Sequence, residues 1–300
     1  MKPKVSIVIV CMNRPDLLFP CLDGIREHTS VSYETLVVAY VFSPENLALL
    51  RERYPWVTVV ESNETRGFSE NNNLALRIAS GEYCFVLNDD TVMQEPVIDR
   101  LLDDFARLPE NTAAIAPRLV LEDGSTQYAG RDIPGPWQYL LDISGLYKTA
   151  VRHATELSPT GCLSGAAFLI KTDIFREIGW FDERYFFTPE DMAVAKALSD
   201  RGFGIYVDPE ISVIHKWRRS SSPIMAAIRP ATVRGHMIMY FGGAGLRCTL
   251  FGAAVWFVYS AKWLAALLRG RSLEARTYAN VACTAFSRRT PKELFERFRP

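Results

Sequence analysis

The sequence predicts an α/β protein: a mainly parallel sheet sandwiched by helices and followed by a C-terminal helical appendage. Three observations predict it. Apolar, β-branched runs alternate with segments of helical periodicity from Val5 to Leu87. The connections between them are short, as parallel crossover units require. From about Ile224 the alternation gives way to long uncharged apolar stretches.

Val5–Val10 is the first expected strand. Pro15–His28 then places Leu17, Leu18, Cys21, Leu22 and Ile25 at helical spacing. Strands are expected at Thr35–Val41, Val57–Glu61 and Tyr83–Leu87, with helices between them at Glu45–Arg53 and Ser69–Ala79. Strands buried on both faces read as continuous apolar runs, and these do. In such sheets ligands bind beyond the carboxyl ends of the strands, where strand order reverses.

A formal net charge of zero conceals a split. Residues 1–215 carry 19 basic against 31 acidic side chains, whereas residues 216–300 carry 15 against 3. A boundary is expected near 222, giving one domain at 1–222 and a basic helical region at 223–300. Apolar residues at 48% and charged residues at 23% exclude wholesale disorder. The six cysteines show no CxxC pair and no zinc-type spacing, so they read as reduced thiols. The run Val5–Cys11 is too short for a signal peptide and ends in Asn13-Arg14-Pro15, which fits a buried strand.

The segments that carry chemistry fall at strand and helix ends. Tyr83–Leu87 stops abruptly in Asn88-Asp89-Asp90; adjacent carboxylates there hold a hard cation or form a solvated turn. Thr188-Pro189-Glu190-Asp191 reads as a helix start, with Thr188 as N-cap, Pro189 as the first helical residue and Asp191 in the capping-box place. Asp191 is either a cap or a general base on a pre-organised helix. His215 ends another strand-like run and is followed by Lys216, Arg218 and Arg219, cations that suit phosphate if a metal or diphosphate lies near. The loop Arg66–Asn73 precedes a helix and lacks a P-loop lysine, which excludes that class of ATPase.

In order and spacing these segments resemble the bacterial glycosyltransferase family 2, an inverting GT-A family, and within it the rhamnosyltransferase-like members. The resemblance runs from Val5 to about Ser220. Asn13-Arg14 resembles the donor-side start, and Gly67-Phe-Ser-Glu-Asn-Asn-Asn73 the glycine-and-asparagine loop. Leu87-Asn-Asp-Asp-Thr91 is similar to the Asp-x-Asp-type metal motif. Pro117-Arg-Leu, Asp123-Gly-Ser and Gly165–Ile170 match the middle landmarks, and Gly179-Trp-Phe-Asp-Glu183 with Glu190-Asp191 the acceptor-side signature.

The resemblance implies residue roles. Asp90 and His215 would hold Mn²⁺ or Mg²⁺; Asn13, Arg14, Gly67, Asn73 and Asp89 would face the donor; Glu190 and Trp180 would lie on the acceptor side; and Asp191 would be the catalytic base. Two departures stand out: Ala39-Tyr40 occupies the place of an Asp that contacts the nucleotide, and Lys196 the place of an arginine.

The implied reaction moves a sugar from a UDP- or dTDP-sugar to a hydroxyl of a glycan or lipid-linked saccharide. A non-catalytic nucleotide-sugar-binding or membrane scaffold protein is the alternative. Cys248–Ala261 is uncharged and rich in aromatics, and Arg247, Lys262, Arg269 and Arg271 flank it. That pattern predicts an interfacial helix at the cytoplasmic face of the cell membrane, peripheral or monotopic. Nucleic acid is excluded as a partner, because the basic residues accompany apolar runs instead of a polar, aromatic-studded face.

Overall fold

The computed structural model describes residues 2–146, 153–216 and 224–299, which form two compact units. The first unit is an α/β sheet domain. Its strands are β1 (Val5–Cys11), β2 (Tyr33–Tyr40), β3 (Val57–Ser62), β4 (Tyr83–Asn88), β5 (Thr91–Val92), β6 (Thr112–Val120), β7 (Thr126–Tyr128), β8 (Ser158–Pro159), β9 (Ala167–Lys171) and β10 (Gly204–His215). Its helices are α1 (Pro15–His28), α2 (Pro44–Arg53), α3 (Phe68–Leu76), α4 (Val97–Phe105), α6 (Thr172–Glu177) and α7 (Glu190–Ser199); α5 (Pro136–Ser144) belongs to the second unit.

The sheet runs β3-β2-β1-β4-β9-β6-β10-β5, with β7 on β6 and β8 on β10. The strands expected from alternation, β1 to β4, are parallel. Beyond Asn88 the sheet is mixed, because β9 lies antiparallel between β4 and β6. This insertion reverses the strand order beside β4. The carboxyl end of β4 is therefore where a doubly wound sheet opens a crevice.

Side-chain alternation builds a core on each face. On one, Val5, Ile7 and Ile9 of β1 meet Leu18, Leu22 and Ile25 of α1 and Leu101 and Phe105 of α4. On the other, Phe168 of β9 meets Phe175 of α6 and Phe181 edge-on, and Phe181 meets Phe68 of α3. Helix α1 approaches β5 so closely that a Cβ on Gly24 would stand 2.8 Å from the carbonyl oxygen of Met93. Only glycine permits that approach, which fixes the short strand after Asp89-Asp90.

One packing detail has a measurable cost. Asp104, at the end of α4, shares a hydrogen bond with buried Asp208 of β10, and its carboxyl is pushed up to about 6, first by burial and then by Asp208. An acid whose pKa is raised by folding contributes stability below its unfolded value of 3.8, and that contribution is lost as pH rises through about 6. Asp104→Asn is therefore expected to stabilise the protein at pH 7.5 by on the order of 1–2 kcal/mol, with no gain near pH 4. Melting temperatures at the two pH values check this; equal shifts at both would disprove it.

The second unit is helical: α5, the 183–190 segment, α8 (Met225–Phe241), α9 (Leu246–Leu268), α10 (Ser272–Thr284) and α11 (Pro291–Phe298). Tyr139 of α5 enters one core with Val233, Phe251, Val255, Tyr259 and Val281, and its ring stacks on His236 at 4.0 Å. Phe186 packs with Ala227, Ala231 and Phe295. The unit is therefore not the continuous 223–300 segment expected from composition. Residues 134–146 and 183–190 join it because their aromatic side chains find partners there. The expected boundary at 222 itself lies outside the described residues.

Candidate active site

The β4–β5 turn carries Asp89 and Asp90, and three interactions pin it. Thr91 Oγ1 donates to the carbonyl of Asn88 at 2.6 Å, Asn88 N donates to the carbonyl of Ala166 at 2.9 Å, and Lys216 N donates to the carbonyl of Asp90 at 2.8 Å. Because β5 pairs with β10 so that Thr91 faces His215, the residue before Thr91 meets the imidazole. Asp90 Oδ1 lies 3.2 Å from His215 Nε2. The other ring nitrogen, Nδ1, is 2.7 Å from Gln127 Oε1 of β7, an acceptor, so Nδ1 carries the proton.

That arrangement aims the Nε2 lone pair at a carboxylate oxygen. Two acceptors facing one another need a proton or a cation between them. A separation of 3.2 Å also matches adjacent corners of a coordination shell with bonds of roughly 2.1 Å. Asp90 and His215 thus fit a divalent cation, with Gln127 orienting the ring from behind as an outer-shell partner does. Among the described residues no group of three or more His, Cys, Asp or Glu side chains gathers, so the pair supplies part of a shell that ligand oxygens would complete.

Asp89 sits deeper. Burial pushes its carboxyl up to about 6, opposed by a hydrogen bond from the Cys11 thiol and the charge of Arg14. Burial and Asp89 raise Cys11 far above an ordinary thiol, so it stays protonated and can donate. Arg14 forms a two-point pair with Asp16 at 2.8 and 2.7 Å, which holds its charge beside this pocket.

Asp191 belongs to the same end of the sheet. Its carboxylate accepts from the backbone N–H of Met192 at 2.7 Å and from that of Gly165. Gly165 adjoins Ala166, which is bonded to Asn88, so the acid stands one strand end from the Asp89-Asp90 turn. Burial raises the Asp191 pKa, while the guanidinium of Arg131 and the two N–H groups pull it down. Helix α7 begins at Glu190, one residue later than the Pro189 start expected from sequence. Asp191 is thus in the first turn with its own amide partners, not in a capping box.

Other expected donor contacts have structural work. Asn13, at φ 52°, accepts from Ser43 N at 3.1 Å and Asn46 Nδ2 at 2.8 Å, tying the β1–α1 loop to the start of α2. Both polar ends of buried Asn73 are bonded to the backbone of Phe181, at 2.9 and 3.1 Å. The N–H of Gly67 is taken by Glu70 at 3.0 Å. The side chain of Asn73 and the N–H of Gly67 thus hold the loop that was expected to face the donor. Trp180, at φ 65°, packs on Phe175 and under Arg176 of α6. Glu190 is buried at the start of α7, and Arg218 and Arg219 lie outside the described residues.

Sequence reasoning missed Gln127 and Arg131. A lone Gln or Arg in a short segment carries no periodic signal; only the fold reveals that Gln127 supports His215 and Arg131 faces Asp191. At the departure Ala39-Tyr40, the Tyr40 hydroxyl is 3.4 Å from the Arg66 amide, and the next residue, Val41, holds φ 46°. Asn13 and Val41 therefore store backbone strain along one carboxyl edge of the sheet, where ligands bind in this architecture.

The sequence model of glycosyl transferase family 2 matches residues 6–179, more than half of the chain. This chain belongs to glycosyl transferase family 2. The family 2 match includes Asp89 and Asp90 and ends before Asp191 and His215. The O-antigen biosynthesis protein RfbC of Myxococcus xanthus is 27% identical over 223 residues, covering 71% of this chain and 17% of that protein. An N-acetylglucosaminyl-diphospho-decaprenol L-rhamnosyltransferase of Mycobacterium tuberculosis is 28% identical over 187 residues, covering 55% and 60%. The family 2 chain thus spans less than two thirds of the length of either relative.

Solved structures share the fold. GalNAc-T7 with UDP, GalNAc and Mn²⁺ superposes with a TM-score of 0.59 at 18% identity, covering 75% of this chain and 46% of that one. The mannosyltransferase PcManGT of Pyrobaculum calidifontis, with GDP-Man and Mn²⁺, gives 0.56 at 16%, covering 99% and 79%. The family 2 fold here is accordingly GT-A.

Proposed function

We propose that the chain is an inverting, divalent-metal-dependent transferase. It would move a hexosyl or rhamnosyl group from a UDP- or dTDP-sugar to a hydroxyl of a glycan or lipid-linked saccharide in cell-surface polysaccharide synthesis. The observation that carries this is that the Asp90–His215 pair and Asp191 lie at the same end of the sheet, linked through Asn88, Ala166 and Gly165. The names of the O-antigen and decaprenol-linked relatives support the acceptor class.

The acceptor hydroxyl oxygen bonds to the anomeric carbon from the face opposite the diphosphate, the bond to the diphosphate oxygen breaks, and Asp191 takes the hydroxyl proton. Arg131 and the backbone N–H groups of Met192 and Gly165 favour the ionised carboxylate and oppose the rise that burial imposes on Asp191. Asp90 and His215 would hold Mn²⁺ or Mg²⁺, which supplies positive charge for the departing diphosphate. Arg14 and Asp89 would face the nucleotide.

Thermal shift with a panel of nucleotide sugars tests the donor assignment. One UDP- or dTDP-sugar should raise the melting temperature in the presence of Mn²⁺, by linkage, and not in its absence. A panel without any metal-dependent shift would remove the transferase reading and leave the scaffold.

We also propose attachment to the cytoplasmic face of the membrane through α9. By length and composition this helix can cross a bilayer. One side of it, with Phe251, Val255 and Tyr259, is packed into protein, whereas Trp256, Phe257, Leu264 and Leu268 are exposed. A one-sided apolar stripe suits a helix lying in the interface. Replacing Phe257, Leu264 and Leu268 together by Ser should abolish flotation with anionic vesicles at low salt. Unchanged flotation would refute this surface.

A further inference from the structure

Within the helical unit, a pocket of about 240 Å³ is lined by Arg234, Gly243, Gly245, Thr249, Phe286 and Arg288, among others. Arg234, on α8, is only 7% exposed. Its Nε donates to the carbonyl of Arg289 at 3.0 Å, and among the described residues no carboxylate pairs with it or with Arg288. No acid lines the pocket, and of the acids in the same stretch of chain Glu274 pairs with Arg271 and Glu293 bonds Thr290. A buried guanidinium without a counter-charge is costly, so the pocket is built for an anion.

Two further features point the same way. The pocket opens at the start of α9, a 23-residue helix whose N-cap, Gly245, supplies no side-chain cap, so its first amides are unsatisfied and attract negative charge. The guanidinium also lies against Gly243, where a Cβ would stand 3.2 Å from Arg234 Nη2 at a φ of +79°. A side chain there would displace the charge from the pocket.

The surroundings identify the source of the anion. Leu246, Leu250 and Phe286, of α9 and the turn after α10, are 75%, 61% and 57% exposed. Phe286 lines the pocket, and Leu246 and Leu250 follow the lining residues Gly245 and Thr249, so exposed apolar side chains accompany the cations as a phosphate attached to acyl chains requires. We propose that this pocket binds the phosphate of an anionic phospholipid. The pocket rests on its own residues; only the lipid source rests on the membrane attachment proposed above.

The test compares full-length protein on vesicles of phosphatidylcholine with and without phosphatidylglycerol, together with thermal shift in inorganic phosphate. Arg288→Gln removes the less buried cation. Thr249→Asp places a carboxylate in the first turn of α9, where it favours the helix yet repels phosphate. Each should lower the preference for phosphatidylglycerol about tenfold, the scale of a charge-assisted hydrogen bond, with phosphatidylcholine binding and melting temperature unchanged. Inorganic phosphate should raise the melting temperature of the unmodified protein more than that of either variant. A preference that survives both substitutions overturns the proposal and leaves membrane attachment standing. A phosphate-dependent shift in a protein that binds neither vesicle overturns the lipid source and the attachment together, leaving a site for soluble phosphate.

Discussion

Asp191→Asn is expected to reduce turnover by roughly a hundredfold or more while donor affinity changes little, the usual scale for losing a general base. The amide keeps the size of the carboxylate and can still accept from Met192 N and Gly165 N, so α7 should start where it does now. What it loses is the capacity to take a proton. The carboxyl has its pKa raised by burial against the pull of Arg131, so the acid limb of the pH–rate profile should lie above that of a solvated carboxylate. Removing Arg131 should move that limb further upward. Steady-state kinetics with calorimetric donor binding check both points. Near-normal turnover in Asp191→Asn would reduce the residue to a helix-start acid.

The second large effect is expected at the Asp90–His215 pair. Asp90→Ala removes one of two side chains suited to the cation and leaves the diphosphate without compensating charge. Nucleotide affinity in Mn²⁺ should fall by roughly a hundredfold, and affinity without metal should barely change. Gln127→Leu offers a graded control: His215 loses the acceptor that fixes its proton on Nδ1, and metal affinity should drop by roughly tenfold or more. Titration of nucleotide with and without Mn²⁺ separates these cases. If metal-dependent affinity survives Asp90→Ala, the cation is held elsewhere.

How far the sequence foretold this arrangement differs by region. β1 to β4 were legible because each is a buried, β-branched run bounded by helical periodicity. The antiparallel insertion of β9 was not, since a buried apolar run such as Ala167–Lys171 carries no mark of its direction or of its neighbours in the sheet; β5 and β8, at two residues each, leave no periodic trace at all. Asp89, Asp90 and His215 stood out as polar residues ending apolar segments, and Asp191 as an acid at a helix start. The roles of Asn13, Gly67 and Asn73 were not, because an asparagine that clamps a loop and one that faces a ligand look alike until the partner is seen. No helix was read at residues 136–144, which fell with the sheet only because the expected first domain ran to 222. Amphipathic spacing reports that a face is buried, without naming the core that receives it.

The route of the chain between the two units constrains how this protein can be cut or recombined. Among the described residues it passes from one to the other five times: after 133, between 146 and 153, after 182, after 190, and between 216 and 224. A single crossover in a gene exchange near the last passage would pair a new helical unit with a sheet domain still carrying α5 and the 183–190 segment of the old one. Tyr139 and Phe186 would then need complementary partners in the newcomer. The same connectivity means that a protease nick near 218 leaves two fragments held together by shared cores, which should co-migrate under native conditions and separate only in denaturant.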